Sequence, residues 1–323
     1  MMNQTELKRI AAISDCDHAA MAEEEQVFTD AGFDLKLYQC RTEDDLIENM
    51  ADYEVFGNQY APMTERVFQN LPKLKCVVRY GVGVDHIDLE SASRHGVAVC
   101  NVPDYGIQEV ALQAFSLILS LHRKVVKMNE SVKSGKWNYE ESIPIRRFSE
   151  LTVGVIGVGR IGSKLTQMLR PLGCRILVYD PVCPKQPIPE GTEMTDMDTL
   201  LTNSDIISIH TPLETSRNLI AKPQFAKMKP SALLVNVSRG GIVNEEDLEE
   251  ALRTGSIAGA AVDVLKKEPP IDKHPLFEYE NFLCTPHMAW YSEEASRDLK
   301  RKLAEEMVRA MNGLPLNYQL NSF

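Results

Sequence analysis

Leu151-Thr152-Val153-Gly154-Val155-Ile156-Gly157-Val158-Gly159-Arg160-Ile161-Gly162 decides the fold. A short β-branched run leads into Gly157-x-Gly159-x-x-Gly162, and an apolar helical pattern through Leu165, Met168 and Leu169 follows it. A second apolar run, Cys174-Arg175-Ile176-Leu177-Val178-Tyr179, then ends in Asp180. Strand, glycine turn, helix, strand and acid in that order make a dinucleotide-binding fingerprint. The first glycine allows a tight turn, the second lets a pyrophosphate approach the backbone, and the third lets the helix pack close to the strand. The helix opens at Arg160 and Ile161, and its N-terminal amides and dipole favour the anion. Asp180 stands where a carboxylate accepts both ribose hydroxyls and repels a 2′-phosphate. No arginine follows at once: Pro181-Val182-Cys183-Pro184 and then Lys185 come next. The cofactor expected is therefore NAD rather than NADP.

Working outward, the chain alternates strands and helices on both sides of this turn. Candidate strands before it are Ile10–Ser14, Phe33–Gln39, Tyr53–Gly57, Cys76–Tyr80 and Val97–Val102, with polar helix-forming segments such as Thr42–Asp52 and Leu89–His95 between them. From Leu151 onward the strands read Thr152–Gly157, Arg175–Tyr179, Ile206–His210, Leu233–Val237, Ala258–Val264 and Phe282–Thr285. Continuous apolar runs of this kind suit parallel strands covered on both faces. The fold class is α/β, with two doubly wound parallel-sheet modules, and only the second holds the glycine fingerprint. Pro103 closes the last strand of the first module. Val110–Val125 then reads as one long helix, apolar most of the way round and so buried on several sides, between domains or between subunits. Lys127–Arg147, with Trp137 and Tyr139, reads as polar and irregular, either an arm reaching a partner chain or a surface loop. Ser292–Met311 reads as an amphipathic helix, with Glu293 and Glu294 in its first turn and Gly313 at its end.

Bulk properties suit a globular enzyme. The chain has 323 residues, long for one domain, with 44% hydrophobic and 25% charged residues. Its net charge of −11 and isoelectric point near 5.2, without a basic run, argue against nucleic acid or an anionic membrane surface as partner. Met1 to Ile10 is polar and lacks the apolar core of a signal peptide, and no stretch approaches a membrane span. Seven scattered cysteines without a Cys-x-x-Cys pair suggest reduced thiols and a cytoplasmic location. The histidines are dispersed without ligand spacing, so no metal is expected.

A nucleotide fold names a cofactor, not a reaction. The reaction belongs to groups at the carboxyl ends of the strands, where the cofactor lies. Arg239 follows Leu233–Val237, in Asn236-Val237-Ser238-Arg239-Gly240-Gly241. Glu268 follows Val262-Asp263-Val264 and precedes Pro269-Pro270, and His287 follows Phe282–Thr285 in Thr285-Pro286-His287. Taken singly, these three read as a solvated strand-end cation, a loop charge and a satisfied polar residue. Taken together, they fit hydride transfer to a 2-keto acid. A guanidinium grips carboxylate and carbonyl with a forked geometry, a histidine supplies the proton for the forming alkoxide, and a carboxylate beside it orients the ring and favours its charged form.

With these residues in place, the chain resembles the D-isomer-specific 2-hydroxyacid dehydrogenases over nearly its whole length. The likeness is strongest over Gly157–Gly162, His210-Thr211-Pro212-Leu213, Val235–Gly241, Ala261–Pro269 and Thr285-Pro286-His287. The resemblance implies that Arg239, Glu268 and His287 are the catalytic set. It also implies that Asp263 meets the nicotinamide carboxamide, and that His210, Thr211, Pro212, Val237 and Ser238 line the cofactor beside the glycine turn. Arg79-Tyr80-Gly81-Val82-Gly83-Val84-Asp85 resembles the family's substrate loop, with the amides near Val82 and Gly83 holding the substrate carboxylate and Arg79 nearby. By the same analogy the first domain is discontinuous, a flavodoxin-like substrate domain of residues 1–101 plus 290–323 beside a Rossmann NAD-binding domain of residues 102–289, with the terminal helix returning to the first. Thr285-Pro286-His287-Met288-Ala289-Trp290-Tyr291-Ser292-Glu293 and Val97-Ala98-Val99-Cys100-Asn101-Val102-Pro103 are most similar to the C-terminal binding protein branch, which includes NAD-sensing partners of transcription factors as well as enzymes. Where many relatives carry an acid after Val-Ala, this chain has Val110-Ala111-Leu112-Gln113, so a polar role of that position is not carried over.

The expected activity is NAD-dependent oxidation or reduction of a small 2-hydroxy or 2-keto acid, of glyoxylate or hydroxypyruvate type or a larger apolar one. The rival readings are an NAD-gated interaction protein, which has no need of an Arg-Glu-His set, and a 3-phosphoglycerate dehydrogenase. A homodimer packed through Val110–Val125 is expected. Trp290, three residues after His287, either offers apolar contact to a substrate tail or packs the start of the terminal helix.

Overall fold

A computed structural model of the chain describes residues 9–18, 20–181, 187–270 and 272–323. The segment after Asp180 that bears on NADP exclusion, Val182 to Lys185, lies outside the described residues. Contacts divide the chain into two compact units. One holds the described residues up to Gly106 together with Ser292–Phe323, and the other is Ile107–Tyr291. Asn101 and Val102 stay with the first unit because their amides donate to Tyr318 O and Gly81 O. Trp290 stays with the second, its ring set edge-on to Tyr291, whose amide donates to Met288 O.

The first unit is built on strands β1 (Arg9–Ile13), β2 (Phe33–Leu37), β3 (Val55–Asn58), β4 (Cys76–Arg79) and β5 (Ala98–Cys100). They form one parallel sheet in the order β2-β1-β3-β4-β5, the flavodoxin-like winding. Alternate residues bury opposite faces. Ala12, Phe56, Val77 and Val99 share one core with Leu46, Met50 and Phe68 from the flanking helices. On the other face the helix Glu293–Met311 lies so close to Gly57 that a Cβ there would sit 3.2 Å from Met307 Sδ.

The second unit contains β6 (Thr152–Ile156), β7 (Arg175–Tyr179), β8 (Glu193–Met194), β9 (Ile206–Ile209), β10 (Leu233–Asn236), β11 (Gly259–Val262) and β12 (Phe282–Cys284). The order β12-β11-β10-β9-β6-β7-β8 is parallel throughout, with its switch between β6 and β9. Ile156, Leu177, Ile207, Leu234 and Val262 fill the core on one face. Val153, Val155, Val178, Val235 and Ala261 fill the other, against Ala114, Leu117 and Ile118 of the helix Ile107–His122. Both faces are covered, as the continuous apolar runs require.

One helix differs from the reading. Val110–Val125 is not a single helix: the chain forms Ile107–His122 and Val125–Lys133, with Lys124 between them at φ 53°, a left-handed turn unmarked by glycine or proline. Nor is the first helix covered all round within this chain. Ala111, Ala114, Leu117, Ile118 and Leu121 form one buried stripe, while Leu112 is 49% exposed. The segment from Lys127, read as irregular, begins instead with the rest of the second helix. Among the described residues no helix is long and apolar enough to cross a membrane.

Candidate active site

The glycine turn is shaped by what a side chain would strike. At Gly157, with φ 89°, a Cβ would lie 2.5 Å from His210 O, and at Gly162 it would lie 2.0 Å from Gly157 O. The helix Arg160–Leu169 therefore sits closer to β6 than any other residue permits. Gly159 is the reverse case: a Cβ there would meet nothing within 4 Å, and the helix begins with no side-chain cap. Its first amides are left to an outside acceptor. Asp180, at the end of β7, accepts from Val158 N at 2.9 Å, which draws its carboxylate over the turn.

Across the switch, His210, Thr211 and Pro212 follow β9. Nε2 of His210 pairs with Ser208 Oγ at 2.9 Å. Its Nδ1 and the Oγ1 of Thr211 are enclosed without a hydrogen-bond partner. Burial lowers the His210 ring to about 4, so it is neutral at pH 7. Orphaned polar atoms beside a glycine turn with open space are what a bound dinucleotide would complete, so the residues fit NAD.

Three strand-end turns hold the residues with chemistry. After β10, Asn236 accepts from Ser238 N at 3.0 Å and donates to Arg239 O at 2.9 Å, fixing the turn that carries Arg239. Val237 is buried, Ser238 Oγ donates to Ile209 O, and Arg239 Nη1 donates to Ser238 O. At Gly240 a Cβ would stand 2.0 Å from Leu265 O, so this turn presses directly on the next one. In that turn Glu268 folds back, with Oε1 accepting from Leu265 N at 2.6 Å. Its other oxygen, Oε2, accepts from Nδ1 of His287 at 2.5 Å. Burial alone would raise the Glu268 carboxyl, but the hydrogen bond and charge of His287, the Leu265 amide and the charge of Arg239 outweigh it and hold the group below its ordinary value.

His287 has φ 51°, a conformation uncommon outside glycine. Its amide donates to Asp263 O at 2.8 Å, and the Asp263 carboxylate accepts from Met288 N, Ala289 N and Thr285 Oγ1 at 3.1, 2.8 and 2.5 Å. Buried Asp263 thus clamps the turn that presents His287, and burial raises its carboxyl despite these donors. Gln113 reaches the same network, donating to Thr285 Oγ1 at 3.2 Å. With Nδ1 committed to Glu268, Nε2 is the His287 nitrogen that the pair leaves for a ligand.

The structure thus joins Glu268 to His287, packs the Arg239 turn against the Glu268 turn, and seats Asp263 beneath His287. Arg79, Val82 and Gly83 lie in the first unit, at and after the end of β4, where Arg79 curls over Gly81 and Asn101 Nδ2 donates to Val82 O at 2.7 Å. The sequence reading passed over Asn236 as a turn holder and Asp263 as a clamp. An asparagine two residues before a serine at a strand end was the available signal for the first. Among the described residues no group of His, Cys, Asp or Glu is placed to hold a metal ion.

Residues 115–289 match the NAD binding domain of the D-isomer specific 2-hydroxyacid dehydrogenases. The chain belongs to that family. It is 36% identical over 293 residues, 90% of its own length, to the D-3-phosphoglycerate dehydrogenase of Archaeoglobus fulgidus, of which it covers 55%. It spans about half the length of the phosphoglycerate dehydrogenases it matches. It is 34% identical over 284 residues to the glycerate dehydrogenase of Methylorubrum extorquens, covering 85% of this chain and 88% of that one. Among solved structures it resembles D-lactate dehydrogenase from Aquifex aeolicus complexed with NAD and lactic acid, with TM-score 0.84 and 26% identity over 94% of this chain and 96% of that one.

Proposed function

We propose that the chain reduces small 2-keto acids to 2-hydroxy acids, or runs the reverse reaction, with Arg239, Glu268 and His287 as its catalytic set. The observation that carries this reading is the hydrogen bond of 2.5 Å between His287 and Glu268, one strand from Arg239 and in the unit that holds the glycine turn. NAD(H), when bound, supplies or accepts the hydride. Arg239 grips the carboxylate and polarises the carbonyl, and Nε2 of His287 gives its proton to the oxygen as it gains charge. Glu268 orients the ring and stabilises its charged form. Asp263 holds the His287 turn, with lone-pair capacity left toward a carboxamide. The Arg160 and Ile161 amides, Asp180, and the His210–Pro212 and Val237–Ser238 segments line the cofactor, and Arg79, Val82, Gly83 and Trp290 serve the substrate. Asp180 supports NAD over NADP.

The domain reading, residues 1–101 with 290–323 as substrate domain and 102–289 as NAD domain, belongs to this proposal. So does a homodimer: Leu112, Val125, Val126, Trp137, Tyr139 and Ile143 are all exposed large apolar groups on or just after the two helices that follow Gly106. The stretch from Thr285 to Glu293 supports the C-terminal binding protein-like branch. The free thiols among the described cysteines support a reducing, cytoplasmic setting. A panel of 2-keto acids with NADH consumption as readout tests the activity, and unphosphorylated acids are expected to outperform 3-phosphohydroxypyruvate. In Glu268→Gln the alkaline limb of the reduction rate moves to lower pH, because the neighbouring charge is gone. An unmoved limb would remove Glu268 from the mechanism.

A further inference from the structure

Behind the His287–Glu268 pair stands a second pair of the same kind. Glu245 opens the helix Glu245–Thr254, and its Oε1 accepts from Lys266 N at 2.5 Å. Its Oε2 lies 3.2 Å from Nε2 of His274. The Lys266 amide is the neighbour of the Leu265 amide that holds Glu268. Two carboxylates therefore take consecutive amides of one turn, and each has a histidine on its other oxygen. The tautomer of His274 follows from its second contact. Leu276 N donates to its Nδ1 at 3.3 Å, so Nε2 carries the proton and donates to Glu245. The ring also packs against Phe277 with centroids 5.5 Å apart, which fixes its plane. Both side chains are about four-fifths covered, so the pair is not a solvated surface contact.

We propose that Glu245, oriented by His274, is a positioning residue that holds the 265–268 turn so that Glu268 meets His287. The inference rests on the proposed role of Glu268 and extends it by one link. Its mechanism is geometric. The turn carries a carboxylate whose contact with a ring nitrogen is 2.5 Å long, and the Arg239 turn presses on the same turn at Gly240. Freeing Lys266 loosens both contacts, and displacement of reacting groups by a fraction of an ångström is costly. The charged and titratable groups facing the His287–Glu268 pair include Asp263 after β11, Arg239 after β10 and the thiol of Cys284 at the end of β12, which burial and then the charges of Asp263, Glu268 and Glu245 push up. Glu245 adds its charge from the helix behind, so the test separates charge from position.

Glu245→Ala is expected to lower kcat about tenfold with an unchanged KM for NADH, to move the alkaline limb in the direction set by Glu268→Gln, and to speed amide hydrogen exchange across 264–268. Glu245→Gln loses the charge but keeps an oxygen for Lys266, and is expected to recover most of the rate and protection. The double variant Glu245→Ala with Glu268→Gln should be no worse than Glu268→Gln alone. Where Glu245→Ala does not fold, His274→Phe keeps the ring contact, removes the donor and should act in the same direction with a smaller change. A wild-type limb in Glu245→Ala, losses that multiply in the double variant, or an equal limb shift in the Ala and Gln variants would overturn the proposal. Should the wild type reduce no keto acid, or Glu268→Gln leave the limb unmoved, the role of Glu268 fails instead. The exchange comparison then decides whether Glu245 holds the turn, and unchanged protection in Glu245→Ala overturns it.

Discussion

The two units answer the same structural problem in opposite ways. Each has a parallel sheet with a strand beside the switch point that runs into a loop next to a neighbouring strand end, and each has backbone amides there in need of acceptors. In the first unit the chain supplies its own anion. Buried Asp15, just after β1, accepts from Gln59 N at 3.1 Å, Tyr60 N at 2.6 Å and Ala61 N at 3.1 Å, and also from Ser14 Oγ and Asn58 Nδ2. In the second unit the turn after β6, on the near side of the switch, has Gly159 with nothing around it and an uncapped helix. One sheet is closed by a side chain and the other is left for a ligand. The winding does not decide which sheet binds a dinucleotide; the acceptor of the strand-end amides does.

The largest expected effect falls on the open sheet. His287→Ala should lower turnover about a thousand-fold, since it removes the proposed proton donor, while NADH binding is retained. Stopped-flow reduction and fluorescence titration of NADH measure the two separately. Loss of NADH affinity in proportion to rate would mean that His287 belongs to cofactor binding rather than to chemistry.

The closed sheet should fail differently. Asp15→Ala removes the acceptor of five donors, of which Asn58 Nδ2 keeps Ala61 O, and a cost of about 3 kcal/mol in unfolding free energy is expected. Urea unfolding reads that cost, and the Kd for NADH should stay at the wild-type value. A weakened Kd with unchanged stability would break the contrast between the two strand ends.

The contrast also marks what a sequence displays. The apolar runs of β6, β7, β9 and β10 are legible because burial on both faces leaves no polar alternation, and their ends agree with the reading to within a residue. Glu193–Met194, two residues long and half polar, carries no pattern to read. The glycine turn is legible because its three constraints fall within six residues. Asp15 is not: its acceptor role depends on amides more than forty residues away. Glu245 and Lys266 lie 21 apart, and only the packing of a helix start against a strand-end turn joins them. Arg239, Glu268 and His287 could be singled out as candidates because each follows a strand of the second sheet, whereas the clamp made by Asp263 on the His287 turn required the fold. The break at Lys124 had no sequence mark because a lysine took up a conformation usually left to glycine.

A third effect concerns charge beside the open turn. The folded value of His210 is lowered from 6.5 to about 4 by burial, so the folded protein resists a proton that the unfolded chain accepts. The stability that His210 contributes is present above pH 6.5 and lost as pH falls toward 4. A difference on the order of 2 kcal/mol between the ends of that window is expected, less than the full shift implies because the residue keeps some exposure. His18 and His122 move in the same direction by burial. The measurement is therefore the change in slope between wild type and His210→Gln. Equal slopes would mean that the ring accepts its proton without cost, and that the site carries a charge the structure does not imply.

The smallest expected effect lies at Trp290, which follows β12 by six residues and stays with the open unit. Its ring meets Tyr291 edge-on at 5.5 Å and is only partly buried, so it retains apolar surface that its own unit does not cover. Three residues from His287, that surface is within reach of a substrate tail bound with its carbonyl at the histidine. Contact with an extended apolar tail contributes about 1 kcal/mol, a several-fold preference in kcat/KM, and two-carbon glyoxylate cannot gain it. Trp290→Ala should therefore lower kcat/KM for large apolar keto acids several-fold and leave glyoxylate nearly unchanged. A ring that only braced the start of the helix Glu293–Met311 would, on truncation, disturb the His287 turn for every substrate alike. A uniform loss across acids of all sizes, together with a lower melting temperature, would assign Trp290 to that brace.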